Sequence, residues 1–275
     1  MKTCFNMFKT GLKAITVSAL SVLTLVAPTL THAQDSYPNK SIRFVVPYPP
    51  GGVSDNSSRA IAERLGRELK ATMVVENKAG AASTIASTFV ARSPADGYTL
   101  YAAPVSIVIN PVLQTKVEYD PIKDFAPVSM MITSAFVLQT NKDLPVNNLK
   151  ELLALIRANP NKYAIGTSGM GSINHLAAEY FNQLMGVKLI HVPYKGSPEA
   201  IQDTMSGRTA FYMAPLDTAI GQLKGGKVRA LGVTSKTRNA AVPEIPSIAE
   251  QGYPNFEIGL WFGVWAPAGT PPTVV

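Results

Sequence analysis

Two glycine-rich turns carry the residue types best suited to holding an anion. The first reads Pro47-Tyr48-Pro49-Pro50-Gly51-Gly52-Val53-Ser54-Asp55 and the second Gly166-Thr167-Ser168-Gly169-Met170-Gly171-Ser172. Each follows a β-type run and opens a helix-type run. A helix start presents unpaired N–H groups and the positive end of the macrodipole, and glycine lets that backbone approach a ligand closely. Ser54 or Asp55 is placed to cap the first helix, and Ser172 the second. Thr167, Ser168 and Ser172 add hydroxyl donors for a carboxylate. One such turn alone is an ordinary strand-to-helix connection. Two of them, one in each half of the chain, point to a ligand held between two lobes.

Other chemistries fit these residues less well. A P-loop needs Gly-Lys followed by Ser or Thr, but Gly226-Lys227 runs into Val228, and Lys195-Gly196-Ser197 has the wrong order. Gly166, Gly169 and Gly171 lack the dinucleotide spacing, and Gly166-Thr167-Ser168-Gly169-Met170 fails the nucleophile elbow at its last position. His175 and His191 read as packed or surface imidazoles, because no clustered carboxylates accompany them to hold a metal. No acid pair stands out for proton transfer. The reading is therefore of a binding protein with no catalytic set, no metal and no cofactor. A two-lobed enzyme acting on a small anion is the alternative, and a ligand sensor for a signalling partner is the third.

The elements that would position these turns alternate between strand and helix from Ser41 onwards. Ile42 to Val46 is a compact apolar run, and Ser54 to Leu69 reads as a helix with Ile61, Leu65 and Leu69 on one face. Met73 to Glu76 and Tyr98 to Ala102 read as strands around a helix over Ser83 to Arg92. Phe125 to Thr140 is β-rich. Leu149 to Ile156 and Ser172 to Met185 read as helices, and Tyr163 to Gly166, Leu189 to Val192, Ala210 to Met213 and Ala230 to Val233 as strands. Further helices start at Ser197 and Asp217. This order predicts an α/β fold of mainly parallel sheets flanked by helices. Ligands then sit beyond the carboxyl ends of the strands. Those ends supply Ser83, Ser106, Tyr194 and Asp217 as further contacts, with Tyr48, Gly51 and Gly52 from the first turn and Gly171 from the second.

Residues 1–33 read as a secretory signal peptide, with Lys2, Lys9 and Lys13 before an apolar stretch and Thr31-His32-Ala33 as the cleavage site. The apolar stretch is short for a span, which needs about 20 residues. The single cysteine, Cys4, falls in this leader, so the exported chain has neither disulfide nor thiol nucleophile. The formal charge is +7, but the lysines and arginines are scattered, which excludes a nucleic-acid surface and leaves a mild field for anions.

Beyond these readings, the chain resembles the tripartite tricarboxylate transporter solute-binding receptors, also called Bug proteins. The resemblance rests on Tyr37 to Gly52, Val75-Glu76-Asn77-Lys78-Ala79-Gly80, Ala95 to Leu100, Gly171 to Glu179, Val192-Pro193-Tyr194-Lys195-Gly196 and Ala266 to Pro271. It implies a two-lobed periplasmic-binding-protein-like fold of type II, a small carboxylate ligand and membrane permease subunits as partners, with the receptor a monomer. Lobe 1 would be 37–135 plus 256–275, and lobe 2 would be 136–255. The segments near Phe136 and Trp261 would form the crossovers and hinge. The turns Pro50 to Asp55 and Thr167 to Ser172 would grip one carboxylate. The loop over Ala79 to Ser83 is poorer in glycine than its counterparts, which implies a narrower pocket. Relatives continue past Val275 with helices on the first lobe, so the resemblance also implies a shortened chain that exposes apolar surface there.

Overall fold

A computed structural model describes residues 37–275; the leader read at 1–33, with Cys4, lies outside the described residues. Pro38–Val275 forms one compact unit. No helix among the described residues is long and apolar enough to cross a membrane.

The strands are β1 (Ile42–Val46), β2 (Met73–Asn77), β3 (Thr99–Pro104), β4 (Phe125–Asn141), β5 (Ala164–Thr167), β6 (Ile190–Pro193), β7 (Phe211–Pro215), β8 (Val228–Val233) and β9 (Gly259–Pro267). The helices are α1 (Val53–Leu69), α2 (Thr84–Ala91), α3 (Ser106–Leu113), α4 (Leu149–Ala158), α5 (Ile173–Met185), α6 (Ser197–Met205) and α7 (Leu216–Lys224). The fold is α/β and two-lobed, with strand order β2-β1-β3-β9-β4-β7-β5-β6 and β8 also on β4. β1 pairs in parallel with β2 and β3, and β5 with β6 and β7.

The remaining pairings are antiparallel and involve two strands that alternation alone does not pair. β4 is long enough to serve both halves. Phe125 to Ala135 runs against β9, and from Phe136 onwards the same strand lies between β7 and β8. β9 in turn closes onto β3. The change of partner between Ala135 and Phe136 joins the two halves through continuous backbone.

Alternation along β4 explains how the second half is sandwiched. Phe136 and Leu138 face α4 and α5, packing with Leu149, Leu152, Ile156 and Phe181. Val137 faces the other side, where α6 and α7 bring Ala200, Ile201, Leu216 and Ala219. In the first half, Val45 and Tyr101 pack with Ala86, Val90, Ile107 and Phe125.

α1 departs from its apolar reading. Its buried stripe is Ser54, Ser58 and Ala62, whereas Ile61 and Leu65 are half-buried and Leu69 is exposed. At the end of this face Gly66 leaves room for the turn into β2: a Cβ there would stand 2.9 Å from the Ala71 carbonyl oxygen.

Candidate functional site

The first turn ends in an open helix start. Gly52 is the N-cap of α1, and no side chain accepts from its N–H groups. Ser54 and Asp55 lie inside the helix and do not cap it. The first backbone bond runs from Asn56 N–H to the Gly52 carbonyl at 3.0 Å. Ser54 is buried, and its hydroxyl has no hydrogen-bond partner. Asp55 instead braces the turn from behind. It accepts from Gly51 N–H at 3.0 Å, Arg59 Nε at 3.0 Å and Asn77 Nδ2 at 2.9 Å. Burial alone would raise its carboxyl, but the Arg59, Gly51 and Asn77 hydrogen bonds outweigh it and hold the group below the usual carboxylate range.

The second turn uses its hydroxyls internally. Ser172 caps α5, accepting from His175 N–H at 3.3 Å. Its Oγ lies 2.6 Å from the Gly169 carbonyl oxygen and 2.8 Å from Asn174 Oδ1. Ser168 donates to the same Asn174 oxygen through Oγ at 2.7 Å and N–H at 3.2 Å. Asn174 Nδ2 donates to the Tyr212 hydroxyl at 3.0 Å. One buried amide therefore ties the turn to β7. Thr167 Oγ1 is 2.6 Å from His191 Nε2, and Gly171 N–H donates to His175 Nδ1 at 3.1 Å.

The two turns meet across a small cleft lined by Tyr48, Gly52, Val53, Ser54, Ser168 and Asn174, and enclosing about 30 Å³. Pro104 and Val105 lead into α3, Ser197 and Pro198 open α6, Pro215 precedes α7, and Phe136 with Leu260, Trp261 and Phe262 forms an apolar wall. None of these lining residues is charged. The starts of α1, α3, α5, α6 and α7 thus converge on one cleft, and only α5 has a side-chain cap. Helix starts with uncapped N–H groups make the cleft attractive to an anion without any lysine or arginine.

The lips are in close contact. A Cβ on Gly196 would stand 2.6 Å from Pro49 Cδ, and one on Gly171 would stand 2.8 Å from Asn110 Oδ1. Gly52 approaches Pro198, and Gly169 approaches Ala82. Ala81, Ala82 and Ser83 all adopt left-handed backbone, with φ of 46°, 47° and 82°. Such angles cost energy in residues with a Cβ and persist where the surroundings impose them. Here Asn110 Nδ2 donates to the Ala82 carbonyl at 2.8 Å. Ser83 Oγ contacts Ser106 Oγ at 2.9 Å, and that hydroxyl contacts Tyr48 at 3.3 Å. Burial pushes the Tyr48 phenol up to about 12, against the opposing effect of the Ser106 hydrogen bond, so it stays a neutral hydroxyl.

Of the sequence-predicted residues, Tyr48, Gly52, Ser54 and Ser168 line the cleft. Gly51, Asp55, Thr167, Gly171 and Ser172 sit behind it in the turns, and Ser83 and Ser106 in the string behind Tyr48. Tyr194 points away and donates to Asp203 at 2.7 Å. Asp217 is exposed on the first turn of α7. Sequence reasoning missed Asn174 and the aromatic wall of β4 and β9. The repeated small polar residues of Ser168 to Asn174 were the available signal for the former. Nothing local marks the latter.

A two-lobed α/β frame with an uncharged cleft between helix starts is that of a periplasmic solute-binding receptor. The family described as "Tripartite tricarboxylate transporter family receptor" matches residues 57–275, and the chain belongs to it. Protein BugT of Bordetella pertussis is 36% identical over 245 residues, covering 88% of this chain and 74% of BugT. R. palustris Rpa4515 with adipate superposes with a TM-score of 0.85 at 35% identity, over 86% of this chain and 80% of that one. MatC from Rhodopseudomonas palustris with bound malate superposes with a TM-score of 0.83 at 30% identity, over 86% and 81%. The structure of the periplasmic binding protein BugD superposes with a TM-score of 0.83 at 35% identity, over 86% of this chain and 80% of that one.

Proposed function

We propose that this chain is an exported receptor that captures a small organic carboxylate between two lobes and delivers it to the membrane permease subunits of a tripartite tricarboxylate transporter. The observation that carries the reading is the buried, unpartnered Ser54 hydroxyl beside the uncapped start of α1, facing four further helix starts across an uncharged cleft. The carboxylates held by Rpa4515 and MatC support the ligand class. Lobe 1 is 37–135 plus 256–275, lobe 2 is 136–255, and β4 and β9 carry the hinge. The lips already touch around this cleft, with Gly196 against Pro49 and Gly52 against Pro198, so the jaws part to admit the ligand and close over it. The closed form is then the signal the permease reads. The chain acts as a monomer, performs no chemistry on the ligand and needs no cofactor or metal. It is exported by the leader, which is cleaved after about Ala33.

Thermal-shift screening tests this reading. Adipate, malate and other mono- and dicarboxylates should raise the melting temperature by binding the folded state alone, with about 2.7 kcal/mol of stabilisation at a hundredfold excess over Kd. A panel in which only phosphate or sulfate stabilises the protein would overturn it.

A further inference from the structure

The glycine-rich turn before α5 is held at both ends by a pair of histidines that the capture of an anion does not itself require. His175, in the first turn of α5, and His191, on β6, stack face to face with ring centroids 4.0 Å apart and planes inclined by 19°. His191 Nε2 meets Thr167 Oγ1 at one end of the turn, at 2.6 Å. His175 Nδ1 meets Gly171 N–H at the other end, at 3.1 Å. An amide N–H only donates, so Nδ1 of His175 must be an acceptor, and its ring proton sits on Nε2. A protonated His175 would point a second N–H at Gly171 and lose this bond.

We infer that the stacked His175–His191 pair positions the glycine-rich turn of the second jaw, and that the turn keeps its anion-gripping geometry only while His175 is neutral. The inference rests on the reading of that turn as half of a carboxylate site. Three features favour the neutral pair. Partial burial penalises the charged form of each ring, and a charge on His175 further disfavours one on His191. His175 lies at the positive end of the α5 dipole, where a cation is unwelcome. Glu179, one turn along α5, is the charged side chain that acts on both rings, and it opposes the effect without reversing it, so both titrate below the usual histidine range. The consequence is opposite to simple electrostatics. Adding positive charge beside an anion site ordinarily strengthens binding, whereas here acid loosens the turn and weakens it.

Two measurements on the full chain decide it. The first needs no ligand: an NMR titration from about pH 8 downwards, carried until the imidazole resonances have moved. The amides of Thr167, Gly169 and Gly171 should move in step with the rings, and His175 should carry its proton on Nε2 at the start. Rings that titrate while these amides stay still, or a proton on Nδ1, overturn the inference. The second compares adipate and malate affinity at about pH 8 and at the pH where the NMR titration shows His175 protonated, in the wild type and in His175→Asn, whose amide oxygen replaces the Nδ1 acceptor without titrating. Ligand ionisation is common to both proteins. The wild type should lose about tenfold more affinity than the variant on acidification, the size of one hydrogen bond. His175→Ala should bind more weakly than His175→Asn at the higher pH. Equal losses in wild type and variant overturn the inference. If His175→Asn does not fold, His175→Gln makes the same comparison with a longer amide. If neither probe binds at the higher pH, the choice of ligand class has failed, and the NMR titration still decides the histidine pair.

Discussion

The two turns of the cleft reach the same end by opposite means. The first leaves its helix start uncapped and keeps the Ser54 hydroxyl unpartnered, with Asp55 bracing it from behind. The second caps its helix and ties Ser168, Ser172 and Asn174 into one buried network. One side therefore offers a free hydroxyl and open N–H groups, while the other offers backbone whose geometry a buried network fixes. The contrast separates two kinds of substitution: those that weaken binding while the fold stands, and those that weaken the fold first.

The largest effect should come from Asn174→Asp. Its carboxylate would lie in the cleft wall, facing the bound anion at close range, and it would lose the donor to Tyr212. Like charges so placed cost several kcal/mol, so carboxylate affinity should fall at least about a hundredfold by calorimetry. Affinity within about threefold of wild type would show that the anion sits elsewhere.

Gly196→Ala comes next. Its Cβ would meet Pro49 Cδ at 2.6 Å, so the lips could not close fully. Affinity should fall about tenfold, in keeping with the 1–3 kcal/mol typical of overpacking. The loss should appear mainly as faster dissociation, read by stopped-flow.

Ser54→Ala and Ser172→Ala sharpen the comparison most finely. Ser54 has no partner to lose on folding, so its removal should leave the melting temperature unchanged or raised while weakening binding by about 1–2 kcal/mol. Ser172→Ala removes a cap, so it should destabilise the fold by about 1 kcal/mol, or about 2–4 °C. If the two variants exchange these signatures, the roles assigned to the two turns are reversed.

The smallest effect is expected in acid. The folded pKa of Asp55 lies below its unfolded value. Its contribution to stability is therefore present above the ordinary carboxylate range and lost as pH falls through the depressed value. Asp55→Asn should lower the melting temperature at neutral pH and flatten its decline in acid. An unchanged acid profile would remove Asp55 as the brace of the first turn.

Much of this architecture was legible in the residues themselves. Ile42 to Val46 reads as a buried strand because its apolar run is short and β-branched. The stretch after Ser172 reads as a helix because Ile173, Ala177 and Phe181 share a face and Ser172 can cap it. α3 was not legible: Pro111 lies inside it, and its eight residues follow a segment that looks like a strand end. The role of β9 was hidden for another reason. Its pairing with β3 and β4 is antiparallel and distant in sequence, and no local spacing encodes a partner strand. The site divides in the same way. Ser54 and Ser168 stand beside visible glycine turns. Asn174 is ordinary in sequence and becomes central only once the fold brings Ser168, Ser172 and Tyr212 around it. Left-handed backbone at Ala81, Ala82 and Ser83 is equally invisible, since none is a glycine and the surrounding contacts impose the angles.

The central claim is that a carboxylate is gripped at the uncapped start of α1, between the two lobes. The most direct test is a crystal structure of the full chain with the carboxylate that gives the largest thermal shift. The account predicts carboxylate oxygens within hydrogen-bonding distance of Ser54 Oγ and the first N–H groups of α1, with Asn174 and Phe262 in the surrounding wall. A ligand seated instead in the outer groove bordered by Arg43, Phe89 and Arg92, with the Ser54 hydroxyl still unpartnered, would contradict it.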